Sequence, residues 1–190
     1  RVHPAWVGRV TALKREIPAS TAMPDAPADP LEVLRTLRRL LPDDAVVATD
    51  VGQHQMWTAQ HFEFRQPRTL LTSGGLGTMG YGLGAAIGAQ AAFPDRRVVL
   101  VSGDGSFHMN LNELVTISKY QIPVVELVFN NNVLGMVRQW QKLFYDNRFS
   151  QTTQDKKIDF VKLAEAFGVK AFEIHTKDEL IPVLKEALGL

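Results

Sequence analysis

Residues 97–136, RVVLVSGDGSFHMNLNELVTISKYQIPVVELVFNNNVLGM, decide the fold. Val98 to Val101 is a short apolar run rich in β-branched residues, which predicts a buried strand. It stops at Ser102-Gly103-Asp104-Gly105, where the glycines allow a tight turn and the close approach of a ligand to the backbone. Leu111, Leu114, Val115 and Ile117 then recur at helical spacing up to Tyr120. Pro123 to Phe129 is a second apolar run, and it ends at Asn130-Asn131-Asn132. Strand, helix and strand of this length make a βαβ unit with parallel strands and a right-handed crossover.

That unit places two polar residues together. Asp104 and Asn131 are 27 positions apart, yet each follows the carboxyl end of a strand. In a parallel sheet those ends share one edge, where open α/β sheets bind ligands. A carboxylate and an amide oxygen there suit Mg²⁺, a hard cation that shares its remaining positions with water and phosphate oxygens. Gly105-Ser106 opens the crossover helix, whose free N–H groups favour an anion, and the Ser106 hydroxyl also suits phosphate. A metal beside a helix N-terminus points to a Mg²⁺-diphosphate ligand. Each residue also has a plainer role: Asp104 as a helix N-cap, Asn131 as a turn former.

Working outward, the flanking segments extend the alternation of strands and helices. Trp6, Val7, Val10 and Leu13 give a weak helical pattern, followed by a proline-rich linker over 17–30. Residues 1–30 therefore read as a tail and linker, and residues 31–190 as one domain. Asp29 and Pro30 predict a helix start. Leu31, Leu34, Leu37 and Leu41 form its apolar stripe, with the arginines on the opposite face. Strands are expected at Ala45–Thr49, Arg68–Thr72 and Val169–Ile174. Helices are expected at Gln53–Phe62, Gly84–Ala92, Gly135–Phe144, Phe160–Phe167 and after the capping box Thr176/Glu179. Tyr145 to Lys157 reads as a polar, mobile connection. The pattern predicts a doubly wound, mostly parallel sheet flanked by helices.

Composition narrows the function. The 190 residues are 45% hydrophobic, enough for a core, and carry a net charge of +1, which implies neither nucleic acid nor an anionic membrane as partner. There is no cysteine, so disulfides and thiolate metal sites are excluded. No apolar run approaches the roughly 20 residues of a membrane span. No secretory leader or initiator Met begins the chain, so an excised piece of a longer protein is expected.

Ser73 to Gly84 holds six glycines, and within it Gly75-Leu76-Gly77-Thr78-Met79-Gly80 matches G-x-G-x-x-G. That fingerprint of dinucleotide sites needs an acidic residue about 20 positions on. Asp104 follows Gly80 by 24 positions, but its pairing with Gly-Ser and Asn131 is not what a ribose site requires.

GDG followed by about 25 residues and then NN resembles the cofactor motif of thiamine-diphosphate enzymes. The strings DVGQHQMWT (50–58), LTSGGLGTMGYGLGAAIGA (71–89), GDGSFHMNLNEL (103–114) and NNNVLGMVRQWQKLFYDNRFS (130–150) narrow the resemblance. They are similar to the C-terminal domain of the acetohydroxyacid synthase (acetolactate synthase) catalytic subunits, over roughly residues 31–190. The family's usual further strand and tail are missing after Leu190, so a C-terminally truncated domain is expected.

The resemblance implies roles residue by residue. Asp104, Asn131 and the backbone carbonyl of Val133 would hold Mg²⁺. Val51, Gly52, Gln53, His54, Gly103, Gly105 and Ser106 would face the diphosphate, with Leu134, Gly135 and Met136 completing the cofactor surface. The Gly77 carbonyl would accept a hydrogen bond from the aminopyrimidine, and Met79 would support the bent cofactor. Met136, Val137 and Trp140 would line the substrate channel, although their helical spacing alone favours a core role. Arg138 and Lys142 read as a solvated face. The implied reaction joins two pyruvates, or pyruvate and 2-oxobutyrate, with loss of CO₂ in branched-chain amino-acid synthesis.

No catalytic side chain is expected within this chain, since the activating glutamate belongs to a separate domain of a neighbouring subunit. FAD would be held by a middle domain. The resemblance also implies a homodimer or tetramer, leaves a regulatory small subunit open, and implies a cytoplasmic location, or plastid or mitochondrion in a eukaryote. Two alternatives stand beside it: another thiamine-diphosphate decarboxylase or oxidase of 2-ketoacids, and a non-catalytic dimerisation module.

Overall fold

A computed structural model describes residues 3–16, 29–154 and 158–190. Helix α1 (Pro4–Glu16) carries the weak apolar pattern and leaves Trp6 and Leu13 exposed. The expected linker lies almost wholly outside the described residues. Helix α2 (Pro30–Leu40) begins as its sequence dictates: the Asp29 side chain accepts from the Leu31 N–H at 3.0 Å, and Pro30 fills a first-turn position that needs no donor.

The centre is a four-stranded, all-parallel sheet in the order β2-β1-β3-β4. Its strands are β1 (Val46–Thr49), β2 (Leu70–Thr72), β3 (Val98–Gly103) and β4 (Val125–Phe129). Register pairs Val47 with Leu70 and Val99, and Val99 with Val125. Val98, Val99, Leu100 and Val101 of β3 are all at 0% exposure, because helices cover both faces. Even-numbered side chains (Val46, Ala48, Val98, Leu100) meet α4 (Tyr81–Ala92) and α6 (Leu114–Tyr120), with α8 (Phe160–Ala166) packed alongside. Odd-numbered ones (Val47, Val99, Val101) meet α2, α9 (Lys177–Leu188) and Phe62, just past α3 (Gln53–His61). The doubly wound class is therefore as expected.

Four local expectations are corrected. Val169–Ile174 forms no strand: Val169 packs on the even face and Ile174 on the odd face. Its residues make no ladder with β4, which among the described strands pairs with β3 alone. The crossover after β3 is broken into α5 (Asp104–Phe107), a 3₁₀ turn (Leu111–Glu113) and α6. Arg38 does not face solvent; it is 6% exposed and donates to the carbonyls of Leu41 (2.6 Å) and Pro42 (3.0 Å), closing the end of α2. Tyr145 to Gln154 is not a free connection but is hydrogen-bonded to α7 (Gly135–Phe144), as described below.

Candidate functional site

The strand order places a topological switch between β1 and β3. From β1 the chain moves outward to β2, and from β3 to β4, so the turns after β1 and β3 diverge and leave a crevice at their carboxyl ends. Its walls are Val51, Gly52, Gln53 and His54 after β1, Gly103 to Ser106 after β3, and Asn131 with Val133 to Val137 after β4. Met79 closes one side, and Trp57 and Phe129 form the apolar floor. The rings of Trp57 and Phe129 meet edge to face at 5.9 Å.

The two central turns each carry a buried aspartate. Asp50, 2% exposed, is fully bonded: Oδ1 accepts from the N–H groups of Val51 (2.8 Å) and Gly80 (2.8 Å), and Oδ2 from that of Gly82 (3.1 Å). It thereby ties the glycine-rich segment and the start of α4 to the end of β1. Gly80 sits at φ +88°, a backbone state that suits glycine, and a Cβ on Gly82 would lie 2.6 Å from Leu100 Cδ1 and 2.8 Å from the Asp50 nitrogen. Asp104 is also 2% exposed, but its Oδ2 has no hydrogen-bond partner. Burial pushes its carboxyl above the ordinary value, while the backbone N–H groups of Gly105 and Asn132 and the nearby His108 act in the opposite direction. Asn132 belongs to the loop after β4, so the two loops that the βαβ unit was expected to bring together do meet.

His54 is buried at 4% exposure between Gly52 and Gly103, where an added Cβ would lie 2.7 Å and 2.8 Å from its ring. Burial lowers its pKa to about 4, against the raising effect of the Asp50 charge and carbonyl, so the ring is neutral at physiological pH. Its Nε2 has no partner. The Ser106 hydroxyl is already engaged, donating to the Val51 carbonyl at 2.5 Å and joining the turns after β1 and β3. Gln53 lies across Gly135 and donates from Nε2 to Gln139 Oε1 at 3.2 Å. The expected phosphate-facing hydroxyl is thus a brace between turns, which leaves backbone N–H groups as the donors at the start of α5.

After β4 the chain turns sharply, with Asn132 at φ +56°. Asn131 Oδ1 accepts from the Val133 N–H at 3.0 Å. Residues 150–154 then return antiparallel to this loop. Leu134 N–H donates to Thr152 O and Gln154 N–H to Asn132 O, both at 2.8 Å, with Val133 opposite Thr153. Arg138, expected in solvent, donates to Thr153 Oγ1 at 3.2 Å and stacks on Phe149 at 4.0 Å.

Nearly every residue expected at the site lines the crevice. Gly77 and Trp140 do not: Gly77, at φ +64°, lies over Val51, and Trp140 is 58% exposed and packs on Phe144. Sequence reasoning missed Asp50, Trp57 and Phe129. The first follows a strand just as Asp104 does, and the aromatic pair is separated by 72 positions, so periodicity gave no signal. Among the described residues no group of three or more His, Cys, Asp or Glu could hold a metal, so a cation here would depend on Asp104, neutral oxygens and its own ligand.

Comparison with known proteins agrees with this geometry. Residues 50–190 match the family described as thiamine pyrophosphate enzyme, C-terminal TPP binding domain. The chain is 44% identical to a probable acetolactate synthase large subunit of Methanococcus aeolicus, over 97% of this chain and 32% of that protein. It is 48% identical to the acetolactate synthase isozyme 2 large subunit of Escherichia coli, over 87% of this chain and 31% of that protein. It is 46% identical to the mitochondrial acetolactate synthase catalytic subunit of Saccharomyces cerevisiae, over 95% and 27%. The chain thus spans less than a third of the length of these relatives. With the crevice at the switch point and the match across three quarters of its length, the chain belongs to the thiamine pyrophosphate enzymes, as a C-terminal TPP-binding domain.

Proposed function

We propose that this chain is the part of an acetolactate synthase that holds the diphosphate and metal end of thiamine diphosphate. The observation that carries the reading is the unpartnered, buried Oδ2 of Asp104 beside the 131–133 loop. A buried carboxylate oxygen without a partner is costly unless a cation completes it. The residues fit Mg²⁺: Asp104 Oδ2, Asn131 Oδ1 and the Val133 carbonyl would supply three hard oxygens, leaving the rest of an octahedron to diphosphate and water. The N–H groups opening α5 and the neutral His54 would face the diphosphate, with Val51, Gly52, Gln53, Leu134 and Gly135 around it. The apolar floor and Met79 would receive the thiazolium side.

When bound, the cofactor supplies a nucleophilic carbon that adds to a 2-ketoacid and stabilises the charge left by CO₂ loss. This chain's own residues bind, orient and exclude water. Met136 and Val137 border the crevice and would meet the ketoacid, with Trp140 one turn further out. The proposed whole reaction forms 2-acetolactate from two pyruvates, or its homologue with 2-oxobutyrate. The activating glutamate, the FAD site, the second protomer of a dimer or tetramer and any regulatory subunit would lie outside this chain. Residues 1–30 would serve as tail and linker to the preceding domain, and the enzyme would be cytoplasmic in a bacterium. Among the described residues no helix is long and apolar enough to cross a membrane.

Thermal unfolding with Mg²⁺ and thiamine diphosphate, alone and together, tests the reading. A stabilisation that needs both is expected, and its absence in the full-length protein would overturn the proposal. Acetolactate formation by the full-length protein, against other 2-ketoacid products, separates this synthase from other enzymes of the family.

A further inference from the structure

We propose that the returning segment 150–154 is a clasp that aims the Val133 carbonyl into the site, and that Thr152 and Gln141 are positioning residues for the metal. The inference rests on the metal reading above. Val133 and Thr153 form an antiparallel bridge flanked by the bonds Leu134 N–H to Thr152 O and Gln154 N–H to Asn132 O. In such a pair the facing residues do not bond each other, and their own N–H and C=O point away from the partner strand. The Val133 N–H does so, reaching Asn131 Oδ1. Its carbonyl is therefore turned to the same side, away from the clasp, where Val133 borders the crevice. Two of the three oxygens proposed for the metal thus come from one short loop whose outer edge is held by residues 152–154.

The clasp is itself anchored. Gln141 on α7 donates from Nε2 to Ser150 O at 2.9 Å, and its Oε1 accepts from the Ser150 N–H (3.3 Å) and Thr152 Oγ1 (3.1 Å). Thr152 is 2% exposed in a segment whose neighbours are mostly exposed. The Gln154 side chain reaches the Asp104 turn, its Nε2 3.3 Å from where a Cβ on Gly105 would stand. A segment serving only to connect α7 to α8 needs neither the buried hydroxyl nor the reach to Gly105.

The test uses the full-length protein with thiamine diphosphate present. Mn²⁺ affinity is read from the electron paramagnetic resonance signal of the free ion, and the metal-free melting temperature is measured alongside. Thr152→Val, which keeps the shape and removes the hydroxyl, and Gln141→Leu are each expected to weaken Mn²⁺ binding by about tenfold, the scale typical of lost outer-sphere support. Thr152→Ser should restore it. An unchanged Mn²⁺ affinity in both variants, whatever happens to the melting temperature, would overturn the clasp. Wild-type protein that binds no Mn²⁺ in the presence of thiamine diphosphate would instead overturn the metal reading itself. Should Thr152→Val fail to fold, the half-buried end of the anchor, Gln141→Leu, carries the test.

Discussion

The turns after β1 and β3 are near twins in sequence and opposites in use. Each ends a central strand, each carries an aspartate at 2% exposure, and each stands beside a glycine that cannot hold a Cβ without striking His54. In the first turn the carboxylate accepts three backbone N–H groups and joins β1 to the glycine-rich segment and α4. In the second, one carboxylate oxygen is left without a partner. Folding satisfies the first aspartate and leaves one oxygen of the second without a partner, the oxygen that the proposed function gives to a cation.

The largest effect should come from breaking the structural twin. Asp50→Ala strands three backbone N–H groups, that of Gly82 buried and those of Val51 and Gly80 part-buried, at about 1–3 kcal/mol each, so a loss of roughly 4 kcal/mol is expected in denaturant unfolding. A loss below about 1 kcal/mol would erase the distinction between the turns.

Glu126 sharpens the comparison: its Oε1 is buried without a partner, as Asp104 Oδ2 is, but it has no place in the crevice. Burial, with the Asp50 charge adding to it, raises its pKa to about 8. The folded state then holds a proton that the unfolded chain releases near pH 4.5, so stability falls as pH rises from 4.5 to about 8. Glu126→Leu should gain roughly 3–4 kcal/mol at pH 9 and little at pH 4.5, measured as unfolding free energy at the two pH values. An equal effect at both would show that its charge is not what matters.

His54, between the two turns, has the opposite sign. Its folded pKa of about 4 lies below the ordinary 6.5, so stability is full above pH 6.5 and is lost as pH falls toward 4, by about 3 kcal/mol. His54→Asn should flatten that acid limb in a pH series of melting temperatures.

The smallest change in the ligand-free protein should come from the second twin. Asp104→Ala is expected to shift metal-free stability by less than about 1 kcal/mol, since it removes a group with an unmet oxygen. It should abolish the joint Mg²⁺ and thiamine diphosphate stabilisation, which at about 100 times the dissociation constant amounts to roughly 2.7 kcal/mol. If Asp104→Ala unfolds the protein as Asp50→Ala does, the two turns share one structural role.

Local rules carried the sequence reading a long way. Asp104 and Asn131 could be paired because strand polarity alone sends both to one edge. The Asp29 cap and the Thr176/Glu179 capping box involve partners two to four residues away, and both are present. The readings that failed depended on what a segment meets at long range. Tyr145 to Gln154 is polar and lacks periodicity, so nothing in it announces that it is clasped by Gln141 and Arg138. Val169–Ile174 has the composition of a strand, but no backbone ladder joins it to β4, and pairing with a distant edge is not written in a segment's own composition. Arg38 looks like the other arginines of its helix until the end of α2 turns its carbonyls toward it.

By itself, then, the sequence determined the alternation of strands and helices, the parallel sheet and the shared sheet edge to which Asp104 and Asn131 both go, because each follows from spacing and chain direction. Tertiary structure alone decided which of the two buried aspartates is satisfied. It also decided that the Ser106 hydroxyl is taken by Val51, that Trp57 and Phe129 meet at the crevice, and that a polar returning segment borders the 131–134 loop. Those outcomes depend on which donors and acceptors remain unpaired once distant segments have packed, and hydrogen-bond satisfaction is a property of the assembled fold.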